Sequence, residues 1–430
     1  MAEKSKKTAR KAPTAAKAKT TKTKEKKAPA KKKVPAKKKA VAVKVPAKKK
    51  APTKKKAPAK KKSTARTIFF TGFPGFLGTW VAKEILAQAP KTKFYFLVQD
   101  KFLEAAKRKA ADILGAKSDV EFFVGDLTHD DLGLTKKMVA TLKKEVTEVW
   151  HLAAAYDIKV SAKTAWDVTV QGTTRVLDLC KGIKGLQKLV YFSSFCVSGL
   201  RTGLVLEDEL EYGQGFKNNY ESSKFEAEVL VRRRAGNVPT IVMRPGIVMG
   251  DSRSGVTDKF DGAYFMIRFL AAAQRDGYLK PLQNFRLPSI GKGATYFHVV
   301  PVDYIARAAV HIAAQDAAIG KTFALCDPDP LTGREFIDEL YAHFGIGRTF
   351  GALPLTVARM LSVMPGLADF MRIPEETLDY ANHYVVYDCR NTTAFLKNSD
   401  ITCPRVPNYL GTLIDFVKEH LDNEEKTAKY

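Results

Sequence analysis

Cysteine is scarce in this chain of 430 residues: five stand at Cys180, Cys196, Cys326, Cys389 and Cys403. Their number is odd and no two have C-x-x-C spacing, which argues against a disulfide framework and a zinc clasp, so no metal is expected. His298 and His383 have no neighbours at metal-ligand spacing and are given no role. The N-terminus lacks an apolar core, which argues against a secretory signal. Long apolar runs are missing too, and none reaches the ~18–20 residues of a membrane span. The fairly apolar stretch from Phe350 to Met371 is interrupted by Pro354, Arg359, Pro365 and Asp369. A reducing, cytoplasmic compartment is the expectation that follows.

Acidic residues are nearly missing from the first 66 positions, which hold 28 Lys+Arg and 2 Glu. The rest of the chain has 44 of the 72 basic and 43 of the 45 acidic residues. The net charge of +27 therefore belongs to a tail, and the body is electrostatically ordinary. Pro-Ala-Lys-Lys-Lys recurs from Pro35, Pro46 and Pro58. Residues 1–65 have almost no apolar bulk to bury and many like charges, so disorder is expected. The segment resembles the tails of linker histones and of bacterial histone-like proteins. Non-specific binding to DNA or RNA, binding to an anionic membrane surface and simple solubilisation all remain open. The first two would place the protein at a nucleoid or a membrane surface.

From Thr67 the pattern changes. Apolar runs at 67–71, 93–98, 120–124, 148–153, 188–193 and 240–243 read as strands. Between them, 76–88, a stretch ending near Leu114, about 163–183 and about 219–235 read as helices. Strands alternating with helices predict an α/β fold, a doubly wound parallel sheet of Rossmann type, and apolar strands fit a sheet covered on both faces. The expected domains are the tail at 1–65, a dinucleotide-binding Rossmann domain at 66–250 and a smaller substrate lobe at 251–430 interleaved with it.

The first strand ends in Thr71-Gly72-Phe-Pro-Gly75-Phe76-Leu77-Gly78. Gly72 permits a tight turn, Gly75 lets backbone approach a pyrophosphate, and Gly78 lets the helix pack on the strand. The helix start offers N–H groups to phosphates. This opening resembles that of extended short-chain dehydrogenases/reductases, especially the branch of fatty acyl-CoA reductases and thioester reductases. Gly125-Asp126-Leu127, His151-Leu-Ala153-Ala154, Arg244-Pro245-Gly-Ile247-Val-Met-Gly-Asp251-Ser-Arg-Ser-Gly255 and Val300-Pro-Val-Asp-Tyr304 resemble further segments of that branch. The likeness covers about 67–330 and weakens toward 422.

Tyr220-Glu-Ser-Ser-Lys224 puts a phenol and an ammonium on one helix face. A nearby cation is expected to lower the tyrosine pKa and fit it for proton exchange. By resemblance, Ser194 is the catalytic serine that binds the substrate carbonyl, with Ser193 its alternative. Tyr220 is then the proton donor, and Lys224 binds the nicotinamide ribose. The resemblance also implies cofactor contacts from Gly72, Gly75, Phe76, Leu77, Gly78, Gln99, Asp126, Leu127, Ala153, Ala154, Ser193, Tyr220, Lys224, Pro245 and Ile247. Asp126 would hold the adenine. Thr169 stands where the family usually has Asn, and a threonine can still bond backbone there. The arginine that the branch often carries after the second strand is replaced by Gln99, with Asp100 next. Lys101, Lys107 and Arg108 stand near for a 2′-phosphate. NADP is the expected cofactor, with NAD the alternative.

Beyond the Rossmann part, Pro301-Val-Asp-Tyr304 is expected to bring the chain back to the core. Tyr264, Phe265, Met266, Ile267, Phe269 and Leu270 read as lobe core, or as the lining of an acyl channel. Residues 346–371 read as a helix packed on the lobe, or as an interfacial helix beside a lipid. Reduction of a lipid-like carbonyl is the preferred expectation: a fatty acyl thioester, or a long-chain aldehyde or ketone. A sterol or 3-oxoacyl alcohol dehydrogenase and a non-catalytic, nucleotide-sensing, nucleic-acid-associated protein are the alternatives. A sugar-nucleotide dehydratase fits less well, because Phe195 follows Ser194 where those enzymes carry an acid.

Overall fold

The computed structural model describes residues 66–115, 118–258, 260–283, 285–290, 293–362 and 375–423. The tail expectation rests on residues 1–65, outside the described residues. Four βα steps and a fifth strand open the fold: β1 (Thr67–Thr71), α1 (Phe76–Gln88), β2 (Lys93–Val98), α2 (Leu103–Leu114), β3 (Asp119–Val124), α3 (Lys136–Glu145), β4 (Glu148–His151), α4 (Ala162–Ala165), α5 (Gly172–Gly182) and β5 (Lys188–Phe192). They are followed by β6 (Gly203–Val205), α6 (Asn219–Arg234), β7 (Thr240–Pro245), β8 (Ile247–Met249) and α7 (Tyr264–Arg275). The chain then forms β9 (Ser289–Ile290), β10 (Val299–Pro301), α8 (Val302–Ala313) and β11 (Thr322–Leu325).

Seven strands make one parallel sheet in the order β11-β7-β5-β4-β1-β2-β3. The sequence order reverses between β1 and β4, which places the ligand crevice above the carboxyl ends of those two strands. Side chains alternate between two apolar layers. Ile68, Phe70, Val190 and Phe192 enter one core, and Phe69, Leu189 and Tyr191 enter the other. Both faces are dry, which is why the strands read as continuous apolar runs. On the first face Phe73 stacks on Phe96 at 4.3 Å, and Phe96 on Phe94 at 5.0 Å.

The seventh strand, β11, is absent from the expected set. It pairs with β7 through Thr322↔Val242 and the three positions that follow. Four residues between two loops give too short a run to register as periodicity. Before it, β10 pairs with β8, and α8 packs on α1. Val302, Tyr304 and Ile305 are buried there, so the chain does return to the core at this segment.

A second core forms in the C-terminal part. Tyr264, Ile267 and Leu270 of α7 pack with Leu410, Leu413 and Val417 of the helix Leu410–Glu419. Phe265 is buried as well, and Met266 and Phe269 are partly buried against this core. Residues 346–371 do not form one helix. Gly347 bonds the Phe285 carbonyl at 3.0 Å, Ala352–Leu353 pairs with β9, and only Leu355–Ser362 is helical; the remainder of that expectation, 363–371, falls outside the described residues. Among the described residues no helix is long and apolar enough to cross a membrane.

Candidate active site

The glycine turn is wound so closely that the Gly72 carbonyl occupies the side-chain space of both Gly75 and Gly78. A Cβ on Gly78 would lie 2.4 Å from the Gly72 oxygen, and one on Gly75 would lie 2.8 Å from it. Gly72 itself has φ +97°, and a Cβ there would meet Ala153 N and Leu152 Cβ at 2.9 Å. The Gly72 carbonyl accepts Gly75 N–H at 3.0 Å. α1 then begins at Phe76 with no side-chain cap and no acidic residue in its first turn. A backbone turn with no side chain at positions 72, 75 and 78, leading into a helix start with no side-chain cap, fits the pyrophosphate of a dinucleotide.

Gln99 and Asp126, at the ends of β2 and β3, meet directly: Gln99 Nε2 donates to Asp126 Oδ2 at 2.6 Å. Asp126 Oδ1 accepts Thr128 N–H and Oγ1–H, each at 2.8 Å. Burial pushes the Asp126 carboxyl up, but the bonds from Thr128 and Gln99 outweigh it and hold it below its usual range. Leu127 is buried in the second face's core. Lys101 and Arg108 are exposed, and Lys107 pairs with Glu104 at 2.8 Å.

Ala153 and Ala154 leave β4 at the crevice, where Ala153 N–H bonds Thr71 Oγ1 at 3.3 Å. His151, one step earlier, is buried between Thr71 Oγ1 at 2.7 Å and Thr173 Oγ1 at 3.1 Å. Burial foremost, then the Lys224 charge, pushes its pKa down to about 3, so the ring is neutral. Thr169 lies in a π-helical stretch, 166–171, and accepts Ala155 N–H at 3.2 Å. It thus bonds backbone, as expected for a threonine at that position.

The two adjacent serines at the end of β5 face different partners. Ser194 is buried, its Oγ accepts Cys196 N–H at 3.3 Å, and its side chain lies beside the Tyr220 phenol. Ser193 Oγ instead donates to Glu228 Oε2 at 2.5 Å. Tyr220 is the second residue of α6, whose cap is Asn218 Oδ1 accepting Glu221 N–H at 3.0 Å. Lys224 is buried one turn on; its ammonium donates to the Phe192 carbonyl at 2.7 Å and lies 5.4 Å from the Tyr191 ring centroid. Burial lowers the Lys224 pKa to about 8 against the opposing Glu228 charge.

The Tyr220 phenol departs from expectation. Burial, seconded by Cys196, pushes its pKa up, and the neighbouring Ser194 hydroxyl only partly opposes this. The ammonium one turn away is spent on a carbonyl, so desolvation dominates. Pro245 is buried at the end of β7, and Ile247 opens β8 half-buried. Ser252 N–H and Oγ bond Asp303 at 3.0 and 2.7 Å, fastening the 251–255 turn to the start of α8. Glu228, which motif reading left out, is tied to this group through Ser193. The available signal was its spacing, since 220, 224 and 228 share one face of α6.

Residues 70–309 match the NAD-binding family described as Male sterility protein. The L-2-aminoadipate reductase of Saccharomyces cerevisiae is 26% identical over 273 residues, which are 57% of this chain and 19% of that protein. The fatty acyl-CoA reductase wat of Drosophila melanogaster is 26% identical over 235 residues, 46% of each chain. This chain therefore spans only about a fifth of the first relative and under half of the second. Among solved structures, the terminal R domain of the myxalamid PKS-NRPS pathway superposes with a TM-score of 0.70 at 24% identity, covering 85% of this chain and 94% of that one. That last likeness concerns the fold.

Proposed function

The chain belongs to the male sterility protein family of NAD-binding domains, within the reductase branch of the extended short-chain dehydrogenases/reductases, and from that premise we propose that it is an NAD(P)H-dependent reductase of a lipid-like carbonyl. The substrate class is a fatty acyl thioester, or a long-chain aldehyde or ketone. The observation that carries this reading is the Ser194–Tyr220 hydroxyl pair, with Lys224 one turn along α6, at the carboxyl edge of the same sheet whose β1 leads into the glycine cradle.

Bound in the crevice, a nicotinamide cofactor would supply the hydride. The remaining work falls to the protein. Ser194 and Tyr220 hold the substrate carbonyl by its oxygen and stabilise the charge that grows there. Tyr220 gives that oxygen its proton. A phenol with a raised pKa stays protonated at neutral pH, which suits a donor in the reductive direction. Lys224 binds the nicotinamide ribose, and Asp126 takes the adenine end. Residues 66–250 hold the cofactor, and 251–430 cover the substrate while returning β11 to the sheet.

NADP is the proposed cofactor and NAD the alternative, because Gln99 replaces the arginine that would settle the choice. For residues 1–65 we propose an independent, non-specific affinity for polyanions, resting on their charge alone. Consumption of NADPH and NADH with palmitoyl-CoA, decanal and a 3-ketoacyl thioester tests the substrate reading. Turnover of none of them by a protein that binds cofactor would contradict it and favour an alcohol dehydrogenase or a nucleotide-sensing role.

A further inference from the structure

The face of α6 that carries Tyr220 and Lys224 carries Glu228 one turn later. Glu228 is completely buried. Arg244 gives it Nε at 3.0 Å and a terminal nitrogen at 2.7 Å. Arg232 Nε reaches it at 2.9 Å, and Ser193 Oγ at 2.5 Å. Arg244 is itself fixed by the Glu207 and Glu209 carbonyls at 3.3 and 2.8 Å. A buried carboxylate between two guanidiniums is a poor way to gain stability, since well-packed apolar residues do as well or better. Its neighbours suggest a different role.

Ser193 is the chain neighbour of Ser194, and Phe192, whose carbonyl takes the Lys224 ammonium, precedes it. One network thus reaches the end of β5 and the helix face opposite. The groups around Lys224 come from four elements. β4 contributes the neutral His151 ring and β5 the Tyr191 ring. The turn after β5 contributes Cys196, and α6 contributes Tyr220 and Glu228. Arg232 on α6 and Arg244 on β7 offset part of the Glu228 charge. The carboxylate is therefore the acidic group of this set with no acidic substitute.

We propose that Glu228 is a positioning residue of the Ser194–Tyr220–Lys224 site, anchoring the end of β5 through Ser193 and supplying the negative charge that faces the Lys224 ammonium. The inference rests on the Ser–Tyr–Lys reading above. Without the carboxylate, Lys224 loses its proton at lower pH. A site that needs the ammonium then fails earlier as pH rises.

The experiment compares full-length wild type, Glu228→Gln, Glu228→Asp, Ser193→Ala and Tyr220→Phe. It reads kcat/KM against pH with NADPH and palmitoyl-CoA, and NADPH affinity against pH by fluorescence. The wild-type basic limb is expected near the Lys224 pKa of about 8. In Glu228→Gln that limb moves down by about one pH unit, roughly a fivefold loss at pH 8 that approaches tenfold at higher pH, and the pH at which NADPH affinity weakens moves with it. Glu228→Asp restores both positions. Ser193→Ala keeps every charge, so its limb stays while kcat falls several-fold.

A Glu228→Gln protein with the wild-type limb and affinity profile overturns the proposal, as does Ser193→Ala with wild-type kcat. If Glu228→Gln does not fold, Glu228→Gln/Arg244→Gln removes both buried charges and is read in the same way. Tyr220→Phe separates the two levels. Turnover retained there defeats the Ser–Tyr–Lys reading and the role of Glu228 with it. Turnover lost there, with Glu228→Gln unchanged, defeats the role of Glu228 alone.

Discussion

Replacing Gly78 by alanine tests the cradle with one methyl group. The new Cβ would stand 2.4 Å from the Gly72 oxygen and 2.9 Å from its carbonyl carbon. Reaching an ordinary contact requires that carbonyl to retreat by about 1 Å. Two effects compete in folding. Glycine to alanine inside a helix contributes about 1 kcal/mol by propensity, and overpacking against fixed backbone costs about 1–3 kcal/mol. The net change in stability should therefore be small, within about 2 kcal/mol. Cofactor binding receives no such compensation, because the displaced carbonyl also holds Gly75 N–H and thereby the shape of the loop. A loss of about 1.4 kcal/mol is a tenfold rise in Kd, and at least that is expected for NADPH in a fluorescence titration, with thermal unfolding run in parallel. Gly236→Ala is the control, since a Cβ there meets nothing within 4 Å. A folded Gly78→Ala protein with the wild-type Kd would refute the pyrophosphate cradle.

Glu148 ties the start of β4 to Arg66 through two bonds of 3.0 Å, with Lys188 at 3.5 Å and Trp150 Nε1 at 3.0 Å. Burial pushes its carboxyl up, yet Arg66 and Lys188 prevail and hold it below its usual range. A depressed carboxylate stabilises above its unfolded pKa and loses that contribution as pH falls through the folded one. Glu148→Gln should therefore cost about 2–3 kcal/mol in urea unfolding at pH 7, at the low end because Arg66 is partly exposed, and the gap to wild type should narrow below about pH 4. Gln99→Arg should raise the NADPH-to-NADH ratio of kcat/KM at least about tenfold, by placing a guanidinium at the ribose end. An unchanged ratio would remove Gln99 from cofactor choice. Deleting residues 1–62 should leave turnover unchanged while abolishing retention on DNA or on anionic vesicles, which in the full chain should fall steeply between about 50 and 200 mM salt. Comparison of the two matrices distinguishes the polymer from the membrane surface.

Strands β1 to β5 and β7 and the glycine turn were legible because each is a largely apolar run or a fixed spacing. β11 was not, and its place in the sheet is set by pairing with β7. Ser194 and Tyr220 were legible from spacing and resemblance, and the fold brings their hydroxyls together. The different orientation of Ser193 was hidden, since it depends on Glu228 and Arg244, 35 and 51 positions farther along the chain. The sign of the Tyr220 shift was hidden for a related reason. Y-x-x-x-K displays the charge that lowers a pKa, whereas the burial that raises it exists only after folding.

Tyr220 is the residue on which the proposed proton transfer depends. The most direct measurement is NADPH oxidation by wild type and Tyr220→Phe with palmitoyl-CoA, beside NADPH affinity for both proteins. The expected result is turnover in the wild type and a loss of about 10²–10⁴-fold in the variant at unchanged NADPH affinity. Equal turnover in the two proteins would contradict the central claim that the phenol supplies the proton.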